Sequence, residues 1–140
     1  MARDSTGSVL DVGAGFIQRA ASPLHAEALV AFHSLNRAAQ LEMTRIKLET
    51  DATNLGKALT TECFDSSPEG ALFRQIRVMM ANNFVSCSIL TCNRTCNRVA
   101  DGLANYGVTT FPDEGHVFWC QALSFVTELL SGDLPGAIGL

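Results

Sequence analysis

A chain of 140 residues, 47% hydrophobic and 17% charged, fits one globular domain able to bury about two-thirds of its unfolded surface, and with that composition disorder is not the default. A formal net charge of -4 excludes strong non-specific attraction to nucleic acid, which comes from Lys and Arg neutralising phosphates, so any such binding is local or metal-assisted. No run of about 18 apolar residues spans a membrane, and the first ten residues lack a signal-peptide core, which points to a cytoplasmic or nuclear protein and not a secreted one.

Cys63, Cys87, Cys92, Cys96 and Cys120 form an odd set with no paired framework and read as reduced thiols. No CxxC pair or neighbouring His completes a zinc site around Cys87, Cys92 and Cys96. Asn93-Arg94-Thr95 matches a glycosylation sequon, which matters only in a secreted chain.

In chain order, Asp4-Ser5-Thr6-Gly7 is a turn signal, and the alternating stretch from Val9 to Ile17 reads as the strand returning from a hairpin. Ser22-Pro23 starts a helix, with Ser as N-cap, and a stripe including Leu24, Ala28, Ala31, Leu35 and Ala38 carries it to about residue 40. Residues 45–49 alternate as a strand, and Asp51 at its end can cap a short helix over 52–59. A polar loop over 60–67 leads to Ser67-Pro68-Glu69, which opens a helix over 68–82 bearing Leu72, Ile76, Met79 and Met80.

Residues 84–90 read as a second internal strand, followed by a polar loop over 91–96. A helix over 97–106 then places Asp101 one turn in, with Val99, Leu103 and Ala104 on its buried side and Gly107 as its stop. Beyond a loop holding Pro112 and Gly115, the pattern from Phe118 to Leu130 is helical, with Trp119 packing its ring onto the sheet or a neighbour.

Three acidic residues sit in distinct local frames: Glu27 in the second turn of a helix, Asp51 at a strand end and Asp101 in the first turn of a helix. Carboxylates at helix starts and strand ends, in an order the chain can bring together, suggest a magnesium site of the two-metal phosphoryl-transfer kind. Each also has a plainer use: Glu27 as a solvated helix residue, Asp51 as an N-cap, and Asp101 at the positive end of its helix. His25 and His33 read as surface residues.

Four segments in order, Arg3-Asp4-Ser5-Thr6-Gly7, Ser22-Pro23-Leu24-His25-Ala26-Glu27-Ala28, Leu48-Glu49-Thr50-Asp51 and the run from Cys96 to Ala104 around Asn97-Arg98-Val99-Ala100-Asp101, resemble the type 1 ribonuclease H superfamily. More narrowly, they look like its plant, retroelement-related, reverse-transcriptase-like branch. The resemblance divides the chain into a ribonuclease H-like domain over 1–107 and a tail over 108–140 with one helix. It implies an α/β fold, a mixed sheet flanked by helices, in which carboxylates hold magnesium, or manganese, and cut the RNA strand of an RNA–DNA hybrid. Carried over by motif, Glu27 and Asp51 share one ion and Asp101 binds the other.

The family's fourth carboxylate is an Asp on a first strand, which the resemblance places ahead of Met1, so the domain reads as truncated. Asp4 and Asp11 are the nearby alternatives, and the family's loop His aligns near Thr91. Without the first strand the sheet opens at its centre, where unpaired backbone groups cost about 1–3 kcal/mol each. The hairpin shifts to pair with a later strand, another chain donates a strand, or the copy is incomplete. The expectation is therefore an endoribonuclease with impaired activity, or a non-catalytic binding or strand-accepting module that takes its strand from a partner or a second copy.

Overall fold

The computed structural model of the chain describes residues 1–111, 113, 115–119, 126 and 138–139. It opens with the expected hairpin: β1 (Ala2–Arg3) pairs antiparallel with β2 (Val9–Phe16). The turn forms because one carboxylate oxygen of Asp4 accepts from the backbone N–H groups of Thr6 at 2.8 Å and Ser8 at 2.9 Å. Gly7 takes the positive φ of 87° that closes it.

Helix α1 (Pro23–Gln40) begins as its sequence dictates, the Ser22 hydroxyl accepting from the His25 N–H at 3.0 Å. Its buried face is Ala28, Ala31, Leu35 and Ala38, small enough in three of four positions to lie close to its neighbours. Next come β3 (Arg45–Thr50), α2 (Thr53–Thr60), α3 (Gly70–Asn82) and β4 (Ser86–Thr91). Along β3 the inward positions are Ile46, Leu48 and Thr50, the period-two alternation of a strand with one buried face. β3 and β4 run parallel in unbroken register from Arg45 opposite Ser86 to Thr50 opposite Thr91.

These elements enclose the larger core, in which Leu35, Leu48, Leu55, Phe73 and Ile76 are fully buried. Each such side chain contributes about 1.5–3 kcal/mol by leaving water. The start of α3 falls at Gly70 and not at residue 68, because the Gly70 N–H bonds the Ser67 carbonyl at 2.9 Å and closes a separate turn around Pro68. The preceding loop is clamped by Arg77, whose guanidinium takes both carboxylate oxygens of Asp65 at 2.7 Å.

A single 3-10 turn (Arg94–Cys96) leads into α4 (Arg98–Thr110), which packs across β2 with Val99 and Leu103 buried. Two expectations are corrected here. Gly107 does not end the helix: it lies inside α4, buried, where a β-carbon would strike the backbone of Gly15. Ala104 is exposed, because this close glycine contact turns the Val99–Leu103–Gly107 line onto β2.

A third correction concerns the tail. Phe118 and Trp119 are not the start of a helix but the end of β5 (Gly115–Trp119), paired antiparallel with β2 from Val12 opposite Trp119 to Phe16 opposite Gly115. The open edge of β2 supplies backbone partners that outweigh the helical pattern. Trp119 meets the Tyr106 ring of α4 edge-on at 5.9 Å, as expected of an aromatic packed on a neighbour. Val126 is helical and buried, and the rest of the expected helix lies outside the described residues.

The strands form two three-stranded sheets, β1-β2-β5 and β4-β3-β6, the last strand being β6 (Ile138–Gly139), parallel to β3 at Leu48 and Glu49 and close to β1. The architecture is a mixed α/β fold of antiparallel and parallel strands flanked by helices. Cys63, Cys87, Cys92 and Cys96 are free thiols. No helix among the described residues is long and apolar enough to cross a membrane.

Candidate carboxylate site

Glu27 projects from the second turn of α1, Asp51 follows the last residue of β3, and Asp101 sits in the first turn of α4. All three line one cavity of about 350 Å³ between α1, β2 and α4. Packing sets each of them: Ala28 and Ala31 hold α1 in the larger core, Leu48 and Thr50 hold the end of β3, and Val99 and Leu103 hold α4 on β2.

Asp51 does not cap α2, contrary to the plainer reading of its position. The hydroxyl of Thr50 accepts from the Ala52 N–H at 3.0 Å instead, and α2 has no side-chain cap. Asp51 is thus left to face the cavity, 22% exposed, with its Oδ1 accepting at 3.4 Å from Nδ2 of the buried Asn97. Asp101 is more open, at 43%, and gains from the helix N-terminus beneath it.

The electrostatics follow from this convergence. The Glu27 carboxyl is pushed above its ordinary range, first by burial and then by the charges of Asp51 and Asp101, with Arg94 pulling the other way. Arg94 stands at the rim on the 3-10 turn, its Nε 3.5 Å from Asp101 Oδ2 and 3.7 Å from Asp51 Oδ2.

Neither alternative fourth carboxylate joins this cluster. Asp4 is spent on its own turn, where Thr6 and Ser8 bind it. Asp11, buried on β2, takes two hydrogen bonds from Arg37 of α1, at 3.0 Å and 2.9 Å. Among the described residues, no group of three or more His, Cys, Asp or Glu side chains is set closely enough to hold a metal ion. Glu27, Asp51 and Asp101 are hard oxygen donors of the type a divalent cation takes, with mutual repulsion to relieve, but in this structure they are not gathered into a ligand set.

Sequence reasoning missed Arg94 as a partner of the cluster, since only the sequon drew attention to it, and gave Asn97 no role beyond its motif. It also missed a smaller cavity of about 130 Å³ that adjoins the first, sharing Gly13 to Gly15 of β2 and Val30 and Ser34 of α1, and that is lined in addition by Asp11, His33, Arg37, His116 and Phe118. There the His33 and His116 rings lie 4.6 Å apart and Arg37 covers the Phe118 ring at 4.9 Å. Burial, and then His116, lower the affinity of His33 for a proton.

A starting hairpin, parallel central strands, flanking helices and a carboxylate-lined cavity at the end of β3 define a ribonuclease H-like domain. The chain belongs to the reverse transcriptase-like family, whose model matches residues 1–107. Membership marks it as a ribonuclease H-like, nucleic-acid-binding type of domain. No curated protein and no solved structure matches the chain.

Proposed function

We propose that this chain binds RNA–DNA hybrids at the carboxylate cavity and cleaves the RNA strand weakly, as a retroelement-derived ribonuclease H domain of the plant type working in the nucleus or cytoplasm. The observation that carries the reading is the convergence of Glu27, Asp51 and Asp101 from three separate elements on one cavity. Those three residues would hold magnesium, or manganese, which when bound supplies an activated water and charge neutralisation for hydrolysis of a phosphodiester.

The chain's own residues set the terms of that chemistry. Glu27, part-buried and repelled by its neighbours, is the carboxylate with the most to gain from a cation. Asn97 orients Asp51. With Asp4 and Asp11 engaged elsewhere, no fourth carboxylate from the described residues balances the set, so cleavage is slow. The net charge of -4 keeps hybrid affinity modest and local.

The test is a labelled hybrid incubated with the full chain in magnesium or manganese. Binding with slow cleavage, abolished in Asp101→Asn, is the expected result. Absence of binding, or rapid cleavage that survives Asp101→Asn, contradicts the reading.

A second reading, a non-catalytic module that accepts a strand from a partner or another copy, is favoured by one observation. Among the described residues, the edge of β3 away from β4 is paired only at Leu48 and Glu49. Concentration-dependent dimerisation, without hybrid binding, would select it.

A further inference from the structure

Two of the chain's three histidines meet where the tail joins the domain. His33 lies on α1 and His116 on β5, and their rings sit 4.6 Å apart at a tilt of 38°. Neutral imidazoles pack at that distance as other aromatic rings do. The backbone of β5 is paired with β2, and its side chains reach α1 at His116, against His33, and at Phe118, beneath Arg37.

The charges around this contact do not favour a second positive charge. Arg37, on α1, takes both oxygens of Asp11 on β2, at 2.9 and 3.0 Å. Asp11 is the one acidic side chain among the described residues lining the cavity. The Met1 amino group, beside β1, lines the same cavity, and burial lowers its pKa to about 6. Asp113, ahead of β5, is exposed to water. A proton on each imidazole therefore sets two like charges side by side, next to a guanidinium that already shares the cavity's carboxylate.

We propose that the His33–His116 contact is an acid-released latch, which holds β5 on α1 and β2 while both rings are neutral and lets β5 leave when both are charged. Burial, and then His116, lower the proton affinity of His33 while β5 is docked. Docking is therefore at full strength above the ordinary histidine range, about pH 6.5, and weakens as pH falls below it. Release frees the edge of β2 and removes His116 and Phe118 from the smaller cavity. Because Gly13 to Gly15 of β2 line both cavities, the latch ties the start of the tail to one wall of the carboxylate cavity.

The test is amide hydrogen exchange in the full chain at about pH 7 and about pH 5.5, each rate referred to its intrinsic value so that the chemical pH dependence cancels. Protection of the β5 amides should fall roughly threefold to fivefold at the lower pH, the scale of one exposed charge pair, while protection in β3 stays level. His33→Gln and His116→Gln each keep a polar side chain that takes no proton. Each should reduce the fall by at least half, and the double variant should abolish it. His25→Gln, at the start of the same helix, should leave it unchanged.

A fall that persists in full in either His33→Gln or His116→Gln overturns the latch and assigns the change to the Met1 amino group or to carboxylates. Equal protection of β5 at the two pH values in the wild-type chain also overturns it, as does a fall shared equally by β3.

Discussion

The two halves of the molecule are held together by different means. Around β3 and β4, α1, α2 and α3 enclose a core in which Leu35, Leu48, Leu55, Phe73 and Ile76 lose all contact with water. Around β2 and α4 the buried set shrinks to Val12, Val99, Leu103 and Val126. That half is held instead by close backbone contact at Gly107 and Gly15, by the Phe118 ring lying over Gly13, and by the Asp11–Arg37 clamp to α1. Glu27 and Asp51 belong to the first half and Asp101 to the second. The site therefore straddles a seam, and its assembly depends on the weaker side.

The largest expected effect breaks the comparison at its strong end. Phe73→Ala should cost about 3–5 kcal/mol in chemical denaturation and lower protection from hydrogen exchange throughout the chain. Val99→Ala should cost about 1–2 kcal/mol, with faster exchange concentrated in α4 and β5. Equal, global losses in both variants would show one cooperative core and no weaker half.

Gly107→Ala sharpens the contrast because two effects oppose each other. Alanine ordinarily gains about 1 kcal/mol over glycine inside a helix. Here the added carbon meets the Gly15 backbone, and overpacking costs about 1–3 kcal/mol. A net loss of about 1 kcal/mol, with displacement of Asp101 resonances, is expected. Stabilisation would mean that α4 does not ride on β2 as closely as described.

The smallest effect lies at the seam. A carboxyl whose affinity for protons is raised on folding adds stability that is fully present below its ordinary range and is lost as pH rises through the raised value. Glu27→Gln should therefore raise the thermal midpoint at pH 7 and leave it nearly unchanged near pH 4. An effect of the same size at both pH values would show that neither burial nor the charges of Asp51 and Asp101 raise the Glu27 carboxyl.

How much of this was readable from sequence differs between local and non-local features. Helix α1 was plain because Ser22-Pro23 and the alanine–leucine stripe agree, and β3 because Ile46 and Leu48 alternate with Arg45, Lys47 and Glu49. Gly107 was misread because a glycine that ends a helix and one that lets a helix touch a strand are the same letter; only Gly15, far away in sequence, separates the two. The stretch around Phe118 and Trp119 was misread because a short apolar run suits helix or strand equally, and the edge of β2 decided it. At the site, Glu27, Asp51 and Asp101 stood out through their motifs. Arg94 did not, since a charge-only contact across a loop leaves no spacing signal.

The most direct test of the account is manganese-induced broadening in the amide spectrum of the full chain. If the three carboxylates share a cation, trace Mn2+ should broaden the signals of Ala26 to Ala28, Thr50 to Ala52 and Ala100 to Gly102 together and before all others, and magnesium should reverse it. Broadening confined to one of those stretches, or arising first at another acidic surface such as that around Glu62 and Asp65, would contradict a single site at the seam.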